Sequence, residues 1–116
     1  MTGFKAVPRL TRHVILEERV PVPDGAGGAR AEWTELGRMW VAIDSGTGRA
    51  TAEAGVVRSF VPMKIILRSA PSGSSMRPRP DQRFREGARL YAITAVAEDD
   101  PRGRYLTCYA KEEVAQ

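Results

Sequence analysis

The sequence predicts an all-β fold: a small β-barrel of about six strands with a long flexible loop and at most a short helix. Three observations predict it. Apolar and polar residues alternate with period two in several short stretches, no stretch keeps helical spacing long enough to bury a face, and clusters of glycine, proline and aspartate separate the stretches. A chain of 116 residues has room for one core. Residues 1–116 therefore read as a single domain, with residues 1–9 and 111–116 as flexible tails.

The first strand runs from Arg12 to Val20, where Val14, Leu16 and Val20 share a face opposite His13, Glu17 and Arg19. Pro21 and Pro23 end its pairing, and Asp24, Gly25, Gly27 and Gly28 form a loop before an extended run from Ala29 to Leu36, so the two make a hairpin. Gly37 opens a third strand, Arg38 to Asp44, apolar on both faces through Met39, Val41 and Ile43 on one side and Trp40 and Ala42 on the other, as in a sheet that curls over its own core.

Ser45 to Gly55 is small and glycine-rich. A helix of one or two turns fits it, but that length is marginal alone, so mobility is expected there. Val56 to Ser69 returns to strand character through Met63, Ile65 and Leu67, with Pro62 marking an edge or bulge. Ala70 to Pro80, with three prolines among serines and glycine, cannot pair as a strand. Arg83 to Arg85, Ala88 to Ala97 and Arg104 to Ala110 complete the set, the last two joined by the turn Glu98–Gly103. In the Ala88–Ala97 strand Tyr91, Ile93 and Ala95 share one face.

Composition narrows the function. The longest apolar run, Met39 to Ile43, is far too short to span a membrane, and the charged residues of the first twenty positions break any signal peptide, so a soluble protein is expected. One cysteine, Cys108, excludes an internal disulfide, and one histidine, His13, removes most transition-metal sites; no cofactor is expected. Cys108 reads as a small buried hydrophobe and His13 as a surface or interface residue, while Asp99 and Asp100 read as a solvated turn. No enzyme is apparent, because nucleophile, base and oxyanion donors do not converge.

The net charge of +4 is regional: seven basic residues against two acidic ones between Lys64 and Arg89 leave +5 there and about −1 elsewhere. Arg77, Arg79, Arg83, Arg85 and Arg89 are the candidates for contact with DNA or a neighbouring protein, since guanidinium groups along a loop and strand can face phosphates without reading bases. Trp33 and Trp40 read as packing residues of the core or a subunit interface. A monomeric basic β-barrel binding single-stranded nucleic acid is the alternative.

Several residue groups occur in a suggestive order. Leu10, Arg12, Val14 and Leu16 are followed by Gly27, Gly28 and Trp33, then Trp40 and Ala42, then Gly48, Arg49 and Ala54. Ile65, Leu67 and Arg68 come next, followed by Gly87, Arg89, Tyr91 and Ile93, and finally Leu106, Cys108 and Glu112. Over nearly the whole chain this order resembles the bacteriophage head-tail joining family, the small head-completion or stopper proteins of tailed-phage connectors. Ala70–Pro80 departs from the family in being longer and richer in proline and serine, and the acidic residue usual near Ala50 is displaced to Glu53.

The resemblance implies a homo-oligomeric ring of six or twelve copies in the neck of a virion or phage-like particle, assembled in the bacterial cytoplasm. Such a ring would lie beneath a portal or adaptor protein and dock a tail terminator protein on its other side. Double-stranded DNA would pass through its channel, and no membrane is involved. Ser45, Gly46, Thr47, Gly48, Arg49 and Glu53, within the segment from Ser45 to Val57, are the candidates for a channel loop that retains packaged DNA. Ala70 to Pro80 is a candidate arm that orders on a neighbouring ring. Richness in alanine and arginine fits a phage or a gene transfer agent of a GC-rich bacterium.

Overall fold

The computed structural model describes residues 7–45, 49–53 and 56–113, with side chains described for 7–45 and 62–113. Seven strands follow in order: β1 (Arg12–Pro23), β2 (Ala29–Ser45), β3 (Arg49–Glu53), β4 (Val56–Arg68), β5 (Arg83–Glu86), β6 (Arg89–Ala97) and β7 (Tyr105–Glu113). All pairings are antiparallel, in the order β2-β1-β5-β6-β7-β4-β3, and β2 also pairs with β4. That last pairing closes six strands into a ring, which is the small barrel the alternation predicts, and leaves β3 outside it.

The core is the inward residue of each alternating pair: Val14, Leu16, Val41, Ile65, Leu67, Phe84, Tyr91, Leu106 and Cys108 are all nearly or fully buried. The β5–β6 hairpin closes in two residues because Gly87 adopts a φ of 59° at the first turn position, which suits glycine.

Two β-bulges alter the expected boundaries. Leu16 pairs with Gly37 and Glu17 with Glu35, so Leu36 is the extra residue and β2 continues unbroken across Gly37, where the sequence suggested two strands. A Cβ at Gly37 would overlap the Met76 sulfur, so the glycine admits the Ala70–Pro80 loop rather than starting a strand. In β6, Ile93 pairs with Ala110 and Ala95 with Tyr109, leaving Thr94 extra. The inward phase therefore passes from Tyr91 and Ile93 to Val96, and Ala95 is exposed, contrary to simple alternation.

Two hairpins project from opposite ends of the ring. Beyond the first bulge β1 and β2 form a two-stranded arm whose side chains are mostly exposed. At the other end β3 pairs only with β4 over Val56–Phe60, whereas β7 joins β4 from Val61. The Cα radius of gyration is 15.8 Å, against about 13 Å for a compact chain of this length; the projections account for the excess.

Ala70–Pro80 is long and without strand or helix, but it is fastened within the chain. Arg77 donates from Nη1 to the Ala70 carbonyl at 2.9 Å, the Arg79 N–H donates to Gln82 Oε1 at 2.8 Å, and Pro78 is fully buried. β7 continues to Glu113, three residues into what the sequence suggested was a tail, because Lys111, Glu112 and Glu113 pair with Ala92, Tyr91 and Leu90.

Candidate functional site

The channel-loop candidates lie at the end of the ring that carries the β3–β4 hairpin. Ser45 is the exposed last residue of β2; Gly46, Thr47 and Gly48 lie outside the described residues; Arg49 and Glu53 begin and end β3. The short helix that the glycine- and alanine-rich segment could have formed is a strand instead. The backbone pairs Arg49 with Phe60 and Glu53 with Val56, so this second hairpin strand supplies the nonlocal hydrogen bonds that so short a helix lacks. Among the described residues Arg49–Glu53 pair only with β4, as a hairpin outside the ring of six strands.

The five arginine candidates are all ion-paired within the chain. Arg77 meets Glu98 at 2.7 Å, Arg79 meets Glu18 at 2.8 Å, Arg83 and Arg85 share Glu17 at 2.7 and 2.9 Å, and Arg89 meets Glu112 at 2.7 Å. The regional positive charge is thus largely neutralised where it stands. Exposed pairs of this kind contribute little stability, so the effect of those at Arg79 and Arg89 is mainly on the surface potential.

The Glu17 cluster is different, and the sequence did not single it out. Register puts Glu17 of β1 opposite Arg83 of β5, and the next outward β5 residue, Arg85, reaches the other carboxylate oxygen. Trp33 of the arm lies under the Arg83 guanidinium, 3.9 Å from carbon to ring centroid. Glu17 is only 5% exposed although alternation correctly assigns it to the outer face. Burial pushes its carboxyl up, but hydrogen bonds from Arg83 and Arg85 outweigh that and leave its pKa below the ordinary value. Only knowledge that β1 pairs with β5 would have revealed this site, and that pairing spans more than sixty residues of sequence.

A second carboxylate pair lies at the opposite end. Arg12 donates two hydrogen bonds of 2.6 Å to Glu86, and the Tyr91 hydroxyl donates to the same carboxylate at 3.0 Å. Arg12, opposed by burial and helped by Tyr91, holds the Glu86 carboxyl down, while burial first and Glu86 second push Tyr91 up to about 12.

The remaining candidates are structural. Cys108 is buried, and desolvation pushes its thiol up to about 12, the opposite of an activated nucleophile. His13 lies on the outer wall with its ring 4.9 Å from that of Trp40. Neither tryptophan joins the core: Trp33 is 37% and Trp40 56% exposed, because both point outward from β2. They stand seven residues apart on that strand, roughly 20 Å, so they do not form one stacking platform. The Asp99–Asp100 turn is partly closed: Asp100 is buried and accepts from the Arg102 and Arg104 N–H groups, and Asp99 accepts from the Tyr109 hydroxyl. Among the described residues no group of three or more His, Cys, Asp or Glu side chains could hold a metal ion.

Comparison with known proteins adds to this geometry. The model of the family described as phage head completion protein matches residues 6–113. No curated protein sequence matches. Among solved structures, the chain is similar to one from the virion of a native gene transfer agent particle, at 50% identity and a TM-score of 0.80, covering 94% of this chain and all of that one.

Proposed function

This chain belongs to the phage head completion protein family, and we propose that it works as a ring-forming stopper in the neck of a phage-like particle of the gene-transfer-agent type. Its role is structural. In this reading, copies close into a ring below the portal or adaptor protein, the β3–β4 hairpins turn towards the axis and narrow the channel, and the opposite face receives the tail terminator protein.

The observation that carries the reading is the β3–β4 hairpin, which projects from a closed barrel and is reached through the glycines of residues 45–48. A ring closed by the β2–β4 pairing is a rigid mount, and a hairpin whose described backbone pairs only within itself can swing without disturbing the core. The paired arginines support a conduit rather than a DNA clamp. Guanidiniums already neutralised by Glu17, Glu18, Glu98 and Glu112 release few counterions on meeting DNA, so the wall lets a duplex slide. The same pairing, and the separation of the two tryptophans, count against a free binder of single strands.

Deleting Ser45–Val57 tests the reading. Particles carrying the deletion should assemble but leak packaged DNA; full retention of DNA would refute a stopper role for the hairpin.

A further inference from the structure

The arm at the other end of the barrel has two unlike edges. Among the described residues β2 has no partner on its outer side from Ala29 to Trp40, since β4 joins it only from Val41. An open edge of that length offers a row of unsatisfied backbone groups. The edge of β1, by contrast, is closed by sequence. Pro21 and Pro23 stand opposite Ala31 and Ala29. Proline has no N–H, so these pairs are the ones whose N–H groups point away from the ladder. Past Glu18 the β1 edge therefore keeps only the Arg19 donor, whereas β2 presents those of Ala29, Ala31, Trp33 and Glu35.

The same β2 edge runs into a groove of about 270 Å³ at its Trp40 end, lined by Leu10, Met39, Leu67 and Met76 and rimmed by Arg68. No carboxylate among the described residues stands within ion-pair distance of Arg68. The backbone donors of β2, the apolar recess at its Trp40 end and the Arg68 cation at the end of β4, which has no carboxylate partner among the described residues, therefore lie together at one edge. Together they select an extended segment read first through its main chain.

We propose that the β2 edge from Ala29 to Trp40 is a strand-addition site for an extended segment of another protein of the particle. That segment is aliphatic where it crosses the Trp40 groove and carries a carboxylate where it meets Arg68. The inference rests on the neck reading above, because it requires neighbouring proteins of the particle.

The test places a photoactivatable benzophenone amino acid at Glu32 in assembled particles and identifies the crosslinked peptide by mass spectrometry. The expected product joins Glu32 to a contiguous aliphatic and acidic stretch of a different virion protein. Ala31→Pro, which removes an outward donor and no ladder bond, should lower the crosslink yield about tenfold or more, while Ala31→Gly keeps it. The melting temperature of the isolated Ala31→Pro chain checks its fold. Should that variant fail to fold, Arg68→Glu gives the same readout from a side chain outside the arm. No crosslink, a crosslink only to a second copy of this chain, or yields unchanged in the folded variants would overturn the proposal. The yield is scored whether or not particles hold DNA, so this result and that of the Ser45–Val57 deletion fail independently.

Discussion

Replacing Glu17 with glutamine keeps the shape of the side chain and removes the charge that Arg83 and Arg85 share. Both guanidiniums contact it, at 2.7 and 2.9 Å, and Glu17 is almost fully buried. Removing one partner of a fully buried ion pair costs about 3–5 kcal/mol. The Arg85 side chain is 39% exposed, so water recovers part of its loss; about 2–3 kcal/mol is expected once that half of the cluster is discounted. For a chain of this length that lowers the melting temperature by about 8–12 °C. The pH dependence has a definite sign. A carboxyl whose folded pKa is depressed contributes fully above its unfolded pKa, and that contribution disappears as pH falls through the folded value. Calorimetry of wild type and Glu17→Gln between pH 7 and pH 3 should therefore show curves that converge on acidification. A loss below about 2 °C at pH 7, or a gap that stays constant to pH 3, would refute the claim that Glu17 is held ionised by the two arginines.

Other consequences are simpler to read. Phe84→Ala empties the centre of the barrel, where Phe84 is fully buried, and should cost about 3–5 kcal/mol in denaturant unfolding. Thr107→Val should be neutral or stabilising by up to about 1 kcal/mol, since the Thr107 hydroxyl is buried without a hydrogen-bond partner among the described residues. Cys108 should react with a thiol reagent at pH 8 only at the rate of unfolding, because burial keeps the thiol protonated; rapid labelling of native protein would contradict its position in the core.

Local pattern made much of the barrel legible. Val14 and Leu16, Ile65 and Leu67, and Tyr91 and Ile93 alternate as half-buried strand residues do, and all face the core. Structure departs from local pattern where the pattern depends on a partner far away. Gly37 looks like a boundary because the bulge at Leu36 is defined only by the register of β1. Ala95 looks inward until the Thr94 bulge, fixed by β7, reverses the phase. Glu17 belongs to the polar face as read, but its burial follows from β5. The arginines were visible as a run, whereas their neutralisation was not, since each carboxylate partner comes from a distant strand, turn or loop. Trp33 and Trp40 read as packing residues of the core or a subunit interface; their exposure excludes the core, because the face each takes on β2 is fixed only by its pairing with β1.

The central claim is that this chain acts as a closed ring whose β3–β4 hairpins point at the channel. An electron-microscopy reconstruction of the neck of the native particle tests it most directly. The account predicts a ring of these barrels below the portal, with each hairpin directed at the axis and each arm directed away from it. Hairpins directed outward, or no density for the chain at the capsid vertex, would contradict it.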